Sequence, residues 1–106
     1  MSNNGDKLNE EQQEQLLFMM LVQQHQQIAM IGLGNLQDPS TEEMEKDLSS
    51  AKYAIDTMAM LKKYTKGNIS DEAAGYLEQT LTNLRMNYAE EAKKAKSGSK
   101  EQNPDK

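Results

Sequence analysis

The chain has no cysteine, no tryptophan, one phenylalanine, one histidine and two prolines among 106 residues. Without cysteine, neither a disulfide nor a thiolate-held metal can add to its stability. With His25 as the lone imidazole, a tetrahedral zinc site has too few ligands. The Glu-x-x-His pair of carboxylate-bridged metal bundles is also missing, because Val22 stands where the glutamate belongs. The longest unbroken apolar run, Leu16 to Val22, is far short of a membrane span. The opening "MSNNGDKLNEEQQEQ" is acidic and polar, unlike a signal or transit peptide. These absences set the expectation of a cytoplasmic protein with no transmembrane segment, cofactor or metal.

Charge is unevenly spread. The formal net charge is −5, yet residues 93–106 carry five lysines against Glu101 and Asp105. The acidic remainder repels phosphate backbones and argues against nucleic acid as the main ligand. The lysine-rich end reads as a solvated tail. Only 36% of the residues are hydrophobic, and a domain this small buries a low fraction of its surface. Association is the remaining common remedy.

What is present is helical periodicity with no strand alternation. Residues 1–9 and 97–106 have the composition of flexible ends, which leaves one helical domain over 10–96. A first helix is expected over about Glu10 to Ile31, its opening turns rich in glutamate. Phe18, Leu21, Val22, Ile28 and Ala29 recur at helical spacing, while Leu16, Leu17, Met19 and Met20 fill the other faces. A helix apolar nearly all round must be covered on more than one side. Leu17, Phe18, Met20, Leu21, His25 and Ile28 are therefore candidate contacts for a second copy or a partner protein. "GLGNLQDPS" then breaks the helix, with Ser40 or Thr41 as candidate caps and Glu43 completing a capping box.

The second helix is expected over about Met44 to Thr65, with the stripe Leu48, Ala51, Ile55, Met58 and Leu61. The third is expected over about Asp71 to Ala95, with Leu77, Leu81, Leu84 and Tyr88. The link "KYTKGNIS", Lys63 to Ser70, is short enough to make these two helices antiparallel neighbours. Folding about it sets Leu61 opposite Ala74, Met58 opposite Leu77, Ile55 opposite Leu81, Ala51 opposite Leu84 and Leu48 opposite Tyr88. The fold class is thus all-α: a three-helix unit with a helical hairpin, completed by self-association or a partner.

The same octet invites a phosphate-loop reading. The P-loop needs a second glycine, a preceding strand and lysine after glycine, and all three fail here. Gly67 instead suits a left-handed residue ending a helix, and Ser70 suits the cap of the next, with Ile69 able to staple onto Ala74. Thr65, Lys66, Gly67 and Asn68 are read as a structural turn, with anion or nucleotide binding as the sharper alternative. Asp56 and Arg85 adjoin the two stripes and are expected to pair and orient the helices. No nucleophile with an activating base can be assembled, so no enzyme and no small-molecule substrate is inferred.

From Phe18 onward, and most clearly in "AIDTMAMLKKYTKGNIS" and "LEQTLTNLRMNY", the chain resembles the bacterial domain of unknown function 1844 family. The resemblance covers roughly residues 16–92. It rests on Ile55-Asp56, Leu61, Thr65-Lys66-Gly67-Asn68 and Leu84-Arg85-Met86, and more loosely on Leu33-Gly34, Pro39 and Leu48/Ala51-Lys52. It implies a short all-helical protein and carries over no activity, cofactor or catalytic residue. Tyr64 stands where relatives tend to have lysine, and Lys63 where an acidic residue is usual. Helix one is richer in Gln and Met than the small apolar residues typical there. The function expected is non-catalytic protein association through a homo-oligomer. The alternative is an accessory subunit of a larger complex, translation-linked or membrane-associated.

Overall fold

The computed structural model describes residues 9–37 and 46–102, with side chains to residue 96. Three helices are present: α1 (Glu10–Gly32), α2 (Leu48–Thr65) and α3 (Asp71–Gln102). The fold is all-α, with no strand among the described residues.

α1 opens on a capping box. Asn9 accepts from the Gln12 amide at 2.7 Å, and the Gln12 side chain accepts from the Asn9 amide at 3.0 Å. Two donors that no helical carbonyl can reach are thereby satisfied. α1 ends where expected, within one residue. Gly34, with φ +84°, then adopts the left-handed backbone that glycine tolerates.

α2 begins later than its expected start at Met44. Asp47 is the cap: its carboxylate accepts from the Ser50 amide and from the Ser49 and Ser50 hydroxyls. Those three hydrogen bonds hold the Asp47 carboxyl below its ordinary value of 3.8, the Ser49 hydroxyl contributing most. The Asp47 amide also donates to the Gly32 carbonyl at 2.8 Å, so the end of α1 fixes the start of α2. The caps expected at Ser40 and Thr41, with Pro39 and Glu43, fall on residues 38–45, outside the described residues, as do residues 1–8 and 103–106.

α3 runs past its expected end at Ala95 to Gln102. Gly98 alone is tolerated inside a helix at a cost of about 1 kcal/mol, and the residue that must stop one, Pro104, lies further on.

The core gathers Val22, Ala29 and Leu33 from the α1 side, Ala51, Ala54, Ile55 and Met58 from α2, and Leu77, Leu81 and Leu84 from α3. Leu48, Leu61 and Tyr88 pack against it half-buried. The two stripes read from the sequence therefore do face inward. Contacts between α2 and α3 run in opposed order: Lys62 late in α2 reaches Glu78 early in α3, and Lys46, just before α2, reaches Glu91 late in α3. α1 lies close against α2 because small residues line the approach. A Cβ on Gly32 would sit 2.7 Å from the Asp47 carbonyl oxygen and 2.9 Å from the Ala51 nitrogen. α1 and α3 meet through a hydrogen bond in which the Tyr76 hydroxyl donates to Gln26 at 3.2 Å.

Candidate functional site

α1 has two unlike long faces. Phe18, Val22, Gln26, Ala29 and Leu33 follow one another at three- and four-residue steps and are buried or half-buried against α2 and α3. The opposite face carries Leu17, Leu21, Gln24, Ile28 and Ile31, also at alternating four- and three-residue steps, with Leu16, Met20 and Gln27 beside them. Leu17 is 65% exposed, Leu16 49%, Met20 44%, Ile28 39% and Leu21 37%. These are five of the nine large apolar side chains exposed among the described residues. From Gln15 to Gly32 this helix carries no formally charged side chain beyond a histidine. Gln24, Gln27, Ile28 and Ile31 also enclose a shallow depression on this face.

The residues expected to meet a partner divide between these faces. Leu17, Met20, Leu21 and Ile28 lie outward. Phe18 does not: it shares the inward line with Val22 and packs half-buried against the core. His25 sits at the border, half-exposed, with Nδ1 3.0 Å from the Leu21 carbonyl oxygen. A carbonyl only accepts, so that contact requires the proton on Nδ1 and ties the ring to its own helix.

The octet is a turn with defined chemistry. Lys66 has φ −56° and ψ 126°, Gly67 has φ +83°, and the Asn68 amide donates to the Thr65 carbonyl at 2.8 Å. Those are the marks of a type II β-turn, whose third residue needs positive φ. The Thr65 hydroxyl donates back to the Leu61 carbonyl at 2.7 Å, and Ser70 accepts from the Ala73 amide at 3.1 Å, capping α3. The cleft of about 420 Å³ on the α1 side of this turn is lined by Glu11 and Glu14 together with Asn68 and Ser70. Two carboxylates beside the α3 N-terminus oppose an anion there.

Asp56 and Arg85 do not pair. Asp56 takes Lys52 of its own helix at 2.7 Å, one turn away, and both side chains are exposed. Arg85 is exposed on α3. The tie between elements is instead Lys46–Glu91, at 2.5 Å, with Lys94 3.4 Å from the other carboxylate oxygen. Glu91 Oε1 has no well-aligned hydrogen-bond donor despite the near approach of Lys46, so the contact is a close ion pair rather than a directed bond. Contact with Lys46 holds the Glu91 carboxyl below its ordinary value of 4.5, against the opposing effect of its burial.

Several of these residues escaped the sequence reading. Asn9 with Gln12 and Asp47 with Ser50 are cap signals legible in "NEEQ" and "DLSS". Gln24, Gln27 and Ile31 were findable only by following the four-three spacing onward from Leu17 through polar positions. Glu91 and Lys46 are partners across forty-five positions, and no local pattern announces them.

Among the described residues no helix is long and apolar enough to cross a membrane, and no three histidine or carboxylate side chains cluster as a metal site would require. No curated protein and no solved structure matches the chain. Residues 15–90, which take in most of α1, all of α2 and the turn and most of α3, match the profile of the family described as domain of unknown function DUF1844, and the chain belongs to that family.

Proposed function

We propose that this is a non-catalytic, cytoplasmic protein that works by associating with other protein chains, itself first, through the outward face of α1. α2 and α3 serve as an antiparallel hairpin that backs this helix and holds that face outward. The observation that carries this is the exposed, largely apolar face from Leu16 to Ile31, interrupted by glutamines but by no charge, on a chain with a small core. Monomers that stay apart rarely leave so large an apolar strip bare on one helix. The outward face of α2 also bears Tyr53, Met60 and Tyr64, but Lys52, Asp56 and Lys63 stand beside them and keep that face hydrated.

Sedimentation equilibrium at tens of micromolar is the test. The wild-type chain is expected as a dimer or higher oligomer. Leu17→Asp and Leu21→Asp place a carboxylate on the exposed face and leave the inward line untouched. Each should weaken association by at least a hundredfold, the penalty of about 3 kcal/mol that a buried unpaired carboxylate exceeds, with helical circular dichroism unchanged. A wild-type chain that sediments as a monomer would overturn self-association.

A further inference from the structure

We infer that the occupant of the α1 face is α1 of a second copy, packed antiparallel, with Leu17 of each chain seated in the depression formed by Gln24, Gln27, Ile28 and Ile31 of the other. This builds on the association proposed above and names its geometry. The outward residues Leu17, Leu21, Gln24, Ile28 and Ile31 repeat every three and four positions, the spacing of a coiled-coil seam. In such packing a knob enters a hole made by four side chains of the facing helix. Gln24, Gln27, Ile28 and Ile31 are spaced i, i+3, i+4 and i+7, which is one such hole, and they enclose a depression already open on this face. The knob must be large, apolar and bare, and Leu17 is the most exposed aliphatic side chain on the described surface.

Charge decides the direction. All the formal charge on α1 lies at its start, in Glu10, Glu11 and Glu14, and no lysine or arginine occurs on it. Side by side in parallel, two such helices would stack six carboxylates at one end without a cation from either helix. Antiparallel packing sends the two acidic ends apart. With Leu17 level with Ile28 of the second copy, the axis falls between Val22 and Gln23. That register brings Leu17, Leu21, Gln24 and Ile28 of both chains into one seam. The two Gln24 amides then flank the axis within about one helical turn of each other, each able to donate and accept. Of the two neighbouring registers of the same seam, one slides Leu17 out to the level of Asn35, past the end of the helix, and the other sets Leu17 level with Leu21 but lays Ile28 level with the charged Glu10.

The absence of cysteine makes the test direct, because any introduced thiol is the sole one. Leu17→Cys and Ile28→Cys chains are prepared separately, and sedimentation of each under reducing conditions is compared with wild type. On mild oxidation, an equimolar mixture should give disulfide-linked Leu17→Cys/Ile28→Cys dimers as the main product, and each variant alone should give little. Leu17 of the two chains would stand more than about 15 Å apart, beyond disulfide reach. A second measurement avoids the seam: a spin label on Glu10→Cys should report a separation of roughly 35–40 Å across the dimer, against less than about 20 Å in a parallel one. Efficient self-linking of Leu17→Cys with a short label separation would overturn the antiparallel geometry while leaving association standing. A long label separation without the mixed disulfide would overturn the register. A wild-type monomer would remove both.

Discussion

Gly32 and Gly67 are the same residue under opposite constraints. At Gly67 a Cβ would meet nothing within 4 Å, but φ is +83°. Gly67→Ala therefore costs backbone strain alone, about 1 kcal/mol. At Gly32 the backbone is helical, and the obstacle is α2 itself: a Cβ would press on the Asp47 carbonyl and the Ala51 nitrogen, both main-chain atoms that cannot rotate away. Gly32→Ala must push the cap of α2 off the end of α1, and should cost about 2–3 kcal/mol. Urea unfolding followed by circular dichroism should rank the two in that order. Equal losses would mean that the close approach of α1 and α2 is not what Gly32 secures. Phe18 teaches a similar lesson: on a helix apolar nearly all round it was expected to meet a partner, and its place in line with Val22 packs it half-buried against the core.

Each helix obtains its limits from side chains that answer unpaired backbone groups. Asn9 with Gln12, Asp47 with Ser50, and Ser70 with Ala73 are three solutions to the same need. The expected turn at 65–68 held its place, and the left-handed glycine held its identity, but the geometry proved to be a β-turn whose second residue is Lys66. Early in α3 stands a local inconsistency, Gly75, in an exposed position in its second turn with no neighbour for a Cβ. An alanine there loses less conformational freedom on folding and meets no obstacle. Gly75→Ala is expected to stabilise the chain by about 0.5–1 kcal/mol, read as a higher urea midpoint with unchanged slope. A destabilised variant would show that the bare Cα is needed for a contact made only in an assembly.

At the scale of the whole molecule, two carboxylates secure the start of α2: Asp47 caps the helix from within, and Glu91 ties it to α3 through the preceding Lys46. Both carboxyls lie below their ordinary values of 3.8 and 4.5. A folded value below the unfolded one means that the unfolded chain binds the proton more readily. The contribution to stability is thus complete above the ordinary values and is lost as pH falls through the folded ones. Urea midpoints should be level from pH 7 to about 5 and fall steeply below about 4.5. Glu91→Gln should lower the midpoint at pH 7 and flatten part of the acid fall, because its carboxamide no longer titrates. An acid limb of unchanged steepness in that variant would remove Glu91 from the account.

The sequence by itself determined the number of helices, the turn that joins the last two, the core stripes of α2 and α3, and the family, because periodicity, glycine and caps are local and survive in one dimension. Leu77, Leu81 and Leu84 repeat with the helix, and nothing distant is needed to read them. Tertiary structure decided three things that periodicity could not. It chose which face of an all-round apolar α1 turns inward, since Phe18 and Leu17 are equally apolar and only the position of α2 and α3 separates them. It tied the cap of α2 to the end of α1, where the Asp47 amide meets the Gly32 carbonyl. And it broke the expected Asp56–Arg85 pair in favour of Lys52 and replaced it with Lys46–Glu91. Charge pairing depends on how helices are rotated and spaced, and those quantities exist only once the chain is folded.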